Sequence, residues 1–299
     1  MGIDQGSSAK SGVVRKAIRR LLAPFRRSPP QMLNSNCGED TRKRMEALKL
    51  VTGDATPEGF YVPPGADPAL KLYHGAFNLE WIRQLSVDPT VIFDIGAYDG
   101  GDAIRFKIAF PLARVFAFEA DIDRFSLLMN YAGHFGVETK QVALLDRDSP
   151  VNWFSAEDDL HGNGHRGSQG SIYRQTEALD RAFPHVHQSK TPTAVQGLRL
   201  DTFCMENGIE TVDVLHMDVQ GAEYDVVVGF GQLRPKLIYA EVMPEHLGGW
   251  VGAKSPKALH CLLSSMGYVL AGDFSTDRLY VHYTAIRLAD LSSNDEQDS

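Results

Sequence analysis

Val91-Ile-Phe-Asp-Ile-Gly-Ala-Tyr-Asp-Gly100 is the stretch whose reading decides the fold. Val91, Ile92 and Phe93 read as a buried strand. Asp94 and a run containing Gly96 and Gly100 follow, then a helical pattern from Gly101 to Phe110 that stops at Pro111. Strand, glycine turn and helix in that order make a nucleotide pocket at the carboxyl end of the first strand of an open α/β sheet. Glycines there let the backbone turn sharply and approach a ligand. The next strand, Arg114 to Phe118, runs into Glu119, an acid placed to accept hydrogen bonds from both hydroxyls of a ribose. The glycines do not have the GxGxxG dinucleotide spacing. Asp94, Asp99 and Asp102 would repel a pyrophosphate. The turn therefore reads as a site for S-adenosylmethionine, which is cationic at sulfur, in preference to NAD.

The chain has 299 residues, 43% hydrophobic and 23% charged, enough for one large α/β domain with appendages. Its net charge of −8 argues against a nucleic-acid partner. That charge is unevenly spread: residues 1–44 hold ten Lys/Arg against three Asp/Glu, so the remainder carries −15. Cys37, Cys204 and Cys261 are widely spaced, without a CxxC pair. They suit neither a disulfide framework nor a zinc site, and favour a cytoplasmic location. No apolar run reaches the roughly 20 residues of a membrane span, and the basic N-terminus lacks the pattern of a signal peptide.

Residues 1–50 read as a basic, flexible appendage. Within it Val13 to Phe25 patterns as a short amphipathic helix, so that residues 13–27 offer weak contact with an anionic membrane surface. Residues 51–88 read as a cap segment, extended over Gly59 to Gly65 and helical from Pro68 to Leu85. From Pro89 strands and helices alternate, the pattern of a mostly parallel sheet with helices on both faces. Strands are expected at Val91–Ile95, Arg114–Glu119, Thr139–Leu145, Val212–Met217 and Leu237–Val242, with a terminal antiparallel hairpin over Tyr268–Tyr283. The 151–195 region interrupts this order. It holds the glycine-rich loop His161-Gly-Asn-Gly-His-Arg-Gly-Ser-Gln-Gly-Ser171. Residues 89–285 form the expected main domain, and 286–299 an acidic tail.

A second constellation is Asp213-Val-Leu-His-Met-Asp-Val-Gln-Gly-Ala-Glu223. Alternation along a strand puts His216, Asp218 and Gln220 towards one side. Asp218 then faces the same crevice as Gly96, where it either holds the donor's amino group or takes a proton from the acceptor hydroxyl. Glu223 suits a helix cap as well as it suits catalysis. The expected donor-binding set is Asp94, Gly96, Ala97, Gly100, Glu119, Ala120, Val142 and Asp218. For the base that removes the hydroxyl proton the candidates are Asp218 and the loop histidines, above all His165, since a near-neutral histidine suits that step. Glu241 is a candidate base, an acceptor-site group, or a divalent-ion ligand with Asp218; no metal is expected.

These motifs together resemble the FkbM-type family of S-adenosylmethionine-dependent methyltransferases. The resemblance rests on Phe93-Asp-Ile-Gly-Ala-Tyr-Asp-Gly100, Val115-Phe-Ala-Phe-Glu119, Leu200-Asp-Thr-Phe203, His216-Met-Asp-Val-Gln-Gly-Ala-Glu223, Glu241 and the closing Asp277-Arg-Leu-Tyr-Val281, and spans residues 89–285. It implies the Rossmann-like class I methyltransferase fold, a seven-stranded sheet, and most often O-methylation of a hydroxyl on a sugar, glycan or natural product. Three positions depart from the family pattern: His216 stands where Lys is usual, Gln220 where Glu is usual, and Tyr98 where Asn is commoner. The rival readings are an NAD-dependent oxidoreductase on a similar sheet and a binding module without turnover.

Overall fold

A computed structural model describes residues 56–285 apart from 57, 86, 159–168 and 275. The basic segment 1–50, the acidic tail and the loop histidines His161 and His165 lie outside the described residues. In chain order the elements begin with β1 (Gly59–Tyr61), β2 (Leu72–His74), α1 (Glu80–Gln84), β3 (Val91–Ile95), α2 (Gly101–Ala109), β4 (Arg114–Phe118) and α3 (Ile122–Ala132). There follow β5 (Glu138–Lys140), β6 (Ala143–Leu145), β7 (Pro150–Trp153), β8 (Ala156–Asp158), α4 (Glu177–Ala182), β9 (Val186–Gln188), β10 (Thr193–Arg199) and α5 (Leu200–Glu206). The chain ends in β11 (Val214–Met217), α6 (Glu223–Val228), β12 (Leu237–Glu241), α7 (Pro256–Ser265), β13 (Tyr268–Asp273) and β14 (Asp277–His282).

Seven strands form the main sheet in the order β13-β14-β12-β11-β3-β4-β5. Neighbours from β12 to β5 run parallel, and β14 and β13 add the antiparallel hairpin. This is the mostly parallel seven-stranded α/β sheet expected from the sequence. The strands are apolar on both faces because both faces are covered. Ile92, Val115, Val214, Leu237 and Val281 point into a core shared with α1, α2 and α3. Phe93, Phe116, Leu215, Ile238 and Tyr280 point the other way, onto α5, α6 and α7.

Two expectations are corrected. Thr139–Leu145 is not one strand. β5 pairs with β4 in the main sheet, and the chain then leaves that sheet, so that β6 pairs in parallel with β10 in a separate sheet ordered β6-β10-β7. Pro68–Leu85 is not one helix: β2 lies inside it and only the short α1 is helical. The cause is hydrogen bonding. Asp99 Oδ2 accepts from the Tyr73 N–H at 2.9 Å and Asp102 Oδ2 from the Gly75 N–H at 2.7 Å, so these amides serve carboxylates rather than a helix. The segment also packs Phe77 and Trp81 against Tyr239. It thus covers one sheet face beside α2, and Tyr61 donates to the Gly101 carbonyl at 2.7 Å.

At the amino end of the sheet one carboxylate ties three strands. Asp213, 1% exposed, accepts from the backbone N–H groups of Thr90 and Val91, from the Thr90 hydroxyl and from Lys236 Nζ at 2.7 Å. Burial pushes its carboxyl up, but Lys236 and these donors outweigh burial and hold the carboxyl below the usual range. Asp213→Ala leaves several buried donors without an acceptor and is expected to cost about 3–5 kcal/mol. Lys236→Met, at a side chain 44% exposed, should cost about 1 kcal/mol or less. Urea unfolding of the two variants checks the difference; equal losses would show that the ion pair, not the backbone donors, is what matters.

Candidate active site

The site is built on the turn after β3. Gly96 has φ +79°, and a Cβ there would stand 1.9 Å from the Asp218 carbonyl oxygen, so glycine alone permits the approach. The Gly96 and Ala97 N–H groups both donate to the Phe118 carbonyl at 2.9 Å, which joins the end of β3 to the end of β4. Gly100, at φ +86°, opens α2, where a side chain would strike Leu128. Tyr98 also has a positive φ, +52°, and its N–H donates to Glu119 Oε2 at 3.0 Å. Glu119 Oε1 accepts from the Asp121 N–H at 2.8 Å. Glu119 is 7% exposed, and burial pushes its carboxyl up to about 7.

A cavity opens over this turn. Of the residues expected to bind a donor, Gly96, Glu119, Ala120, Val142 and Asp218 line it. Ala97 and Gly100 shape the turn behind it, and Asp94 is not on its wall. Asp94 instead accepts from His216 Nδ1 at 2.7 Å, and the pair is packed among Phe77, Phe106 and Tyr239. Burial pulls the His216 imidazole down, but the bonded Asp94 carboxylate, with Asp102 and Asp277 near it, prevails and sets it at about 9. Asp99 and Asp102 also face protein partners: Asp99 takes the Tyr73 and Gly101 N–H groups, and Asp102 takes Gly75 and Arg105. Burial raises Asp99 to about 7. The three acids that in the sequence spoke against a pyrophosphate are therefore committed to holding the fold, and Glu119, Asp121 and Asp218 are the acids that line the cavity.

The alternation expected to align His216, Asp218 and Gln220 stops where β11 stops, at Met217. In the turn that follows, Gln220 takes φ +52°, and its amide donates both to Asp218 Oδ1 and to Glu241 Oε2, the latter at 3.0 Å. One neutral side chain thus holds two carboxylates side by side. Glu223 Oε1 accepts from the Gly221 N–H at 3.0 Å, and burial, with Glu241 and Asp225 nearby, raises Glu223 to about 7. Gly221, at φ +99°, lies against the Trp250 ring. Gly221, Glu223 and Trp250 line a second cavity of about 220 Å³ bordering the same turn. His246 is exposed on a single helical turn, Glu245–Leu247. Among the described residues no cluster of three or more His, Cys, Asp or Glu is arranged to hold a metal ion.

Three features of the cavity over the Gly96 turn escape the sequence. Trp153 covers it, packed where a Cβ on Gly170 would come within 2.6 Å, with its indole N–H donating to Asp121 Oδ2 at 3.1 Å. Arg124 lies on its wall with its guanidinium over the Tyr98 ring, 4.9 Å from the centroid. The cavity volume is about 40 Å³, against roughly 300 Å³ or more for a typical ligand pocket. A tryptophan in an inserted strand and an arginine in the first turn of a helix have no local pattern that marks them as cavity residues.

Residues 94–270 match the family model described as the methyltransferase FkbM domain. Over 163 residues the chain is 32% identical to the 2-O-methyltransferase NoeI of Sinorhizobium fredii (strain NBRC 101917 / NGR234), an alignment covering 54% of this chain and 65% of that protein. The chain thus spans less than two thirds of that relative's length. Among solved structures it is similar to the fibrillarin pre-rRNA processing protein of Methanococcus jannaschii, at TM-score 0.35 and 12% identity over 65% of this chain and 66% of that one. It is also similar to precorrin-6y C5,15-methyltransferase of Geobacter metallireducens GS-15, at TM-score 0.31 and 12% identity over 81% and 77% of the two chains.

The buried acids set a pH dependence. Asp99, Glu119 and Glu223 are raised from 3.8 to 4.5 in the free side chain to about 7, and His216 from 6.5 to about 9. The folded chain therefore holds protons that the unfolded chain has released. The stability these groups contribute is complete below about pH 4 for the acids, and is lost as pH rises through 7 and then 9. Without ligand, the melting temperature should fall by roughly 10 °C between pH 5 and pH 9, and Glu119→Gln should reduce the fall. A melting temperature that rises over this interval would contradict the assignment.

Proposed function

Because the chain belongs to the FkbM methyltransferase family, we propose that it transfers a methyl group from S-adenosylmethionine to a hydroxyl oxygen of a small-molecule or glycan acceptor. The observation that carries this reading is the buried Glu119 carboxylate at the end of β4, on the wall of the cavity that the Gly96 turn opens. A carboxylate there accepts from ribose hydroxyls. Ala120 and Val142 offer an apolar wall for the base, and Asp218 faces the methionine end. Asp94 and Gly100 act at one remove, Asp94 through His216 and Gly100 through the packing of α2. The relative's name, a 2-O-methyltransferase, favours oxygen as the acceptor atom. The catalytic unit is taken as residues 89–285.

When bound, S-adenosylmethionine supplies a methyl group already activated by positive sulfur. The chain's own work is alignment and proton removal. Holding the acceptor oxygen in line behind the methyl carbon contributes roughly 7–11 kcal/mol. The hydroxyl proton released on methylation would pass to Asp218, while a bound donor would keep the electron pair of its broken bond at sulfur. Gln220 positions Asp218 and ties it to Glu241. His165 is kept as the second candidate base. The second cavity, which borders the same turn, receives the bulk of the acceptor. The acidic charge outside the N-terminus supports an acceptor other than nucleic acid. A cytoplasmic location is favoured by the free cysteines Cys204 and Cys261. Among the described residues no helix is long and apolar enough to cross a membrane.

Calorimetric titration with S-adenosylhomocysteine and NAD tests the donor. The wild-type chain should bind the first and not the second. Glu119→Gln should weaken S-adenosylhomocysteine roughly tenfold or more, and Gly96→Ala should abolish its binding, whereas Asp218→Asn should retain binding and lose methyl transfer. Binding of NAD alone would sink the reading.

A further inference from the structure

Arg124 stands in the first turn of α3, three residues after the capping Asp121, and is only 6% exposed. It lines the same cavity as Glu119 and Tyr98. Its Nε and Nη2 are buried without a hydrogen-bond partner. The acids beside it are engaged elsewhere. Glu119 takes the Tyr98 and Asp121 N–H groups. Asp121 Oδ1 takes the first amides of α3, and its Oδ2 takes Trp153 and Ser155. Two other buried charges here have a counter-charge: Asp94 has His216 and Asp102 has Arg105. Arg124 has the face of Tyr98, 4.9 Å away. A ring face attracts the cation but leaves in-plane N–H donors unfilled, and a buried cation without acceptors is costly.

The chemistry of the wall indicates what completes it. An ionised carboxylate only accepts hydrogen bonds and a guanidinium only donates. A hydroxyl does both, with one proton and two lone pairs. An acceptor-only and a donor-only group on one wall therefore suit a pair of neighbouring hydroxyls, each giving its proton to one group and its lone pairs to the other. We propose, resting on the methyl-donor reading above, that Arg124 is a second ribose-binding group: its guanidinium donates to the ribose hydroxyl oxygens whose protons Glu119 accepts. Tyr98, whose φ is positive and whose N–H donates to Glu119, gives the ring face against which the guanidinium lies.

The test is calorimetry on the full chain with S-adenosylhomocysteine, adenosine and 2′,3′-dideoxyadenosine, for wild type, Arg124→Met and Arg124→Lys. Arg124→Met should weaken S-adenosylhomocysteine and adenosine by roughly 10–100-fold, as loss of charge-assisted hydrogen bonds does, and Arg124→Lys should recover part. The Met penalty should vanish with 2′,3′-dideoxyadenosine, a readout that a purely structural arginine would not move. Unchanged affinity of the Met variant, or an equal penalty on the dideoxy ligand, overturns the proposal. If the Met variant does not fold by circular dichroism, Arg124→Gln gives the same comparison. A wild-type chain that does not bind S-adenosylhomocysteine defeats the donor reading itself, an outcome distinct from a wild type that binds and a variant that binds equally.

Discussion

The approach of Gly96 to the Asp218 carbonyl is the constraint on which the site depends. With no side chain at 96, the ends of β3 and β11 come within contact of each other just past their last paired residues, Ile95 and Met217. The same turn sends two N–H groups to the Phe118 carbonyl and a third, from Tyr98, to Glu119. Three strand ends are thereby fixed relative to one another by backbone bonds, and the acids Glu119 and Asp218 are presented to one cavity from different strands. Any side chain at 96 would force either the turn or the 218–223 segment away, and both walls would move together.

Around that junction, buried carboxylates do most of the local ordering. Asp99 and Asp102 hold the backbone of β2 and Gly75 extended, Asp94 holds His216, and Asp213 ties the opposite end of the sheet. Asp213 and Asp102 have amide and cationic partners and Asp94 has His216, whereas Asp99 has two amide donors and is still raised to about 7 by burial. Glu119 and Glu223 are held by fewer donors than burial demands, and their carboxyls are raised to about 7. Asp99 is raised as far, and what separates Glu119 from it is its place on the cavity wall, where poorly compensated acids are common at working sites.

The sheet was legible in the sequence because its signals are local: apolar runs such as Val91–Phe93, glycines at turns, and Ser255-Pro256 at the start of α7, where the Ser255 hydroxyl caps the helix. The Gly96 turn and Glu119 were legible for the same reason. What was not legible depends on contacts distant in the chain. The helical spacing of Pro68–Leu85 yields to amide bonds with Asp99 and Asp102, about 26 residues away. The strand expected over Thr139–Leu145 divides because β6 finds β10, and no residue between them announces that exchange. His216 reads as a crevice residue until Asp94 is seen to accept its hydrogen bond. The Gln220 bridge between Asp218 and Glu241 requires a non-glycine residue at φ +52°, which spacing does not foretell.

The most direct measurement is a crystal structure of the protein with S-adenosylhomocysteine. The expected density places the ribose hydroxyls on Glu119, the base against Ala120 and Val142, and the amino-acid end toward Gly96 and Asp218. A ligand bound outside this cavity, or one whose ribose lies away from Glu119, would contradict the assignment of the β3–β4 turn as the methyl-donor site.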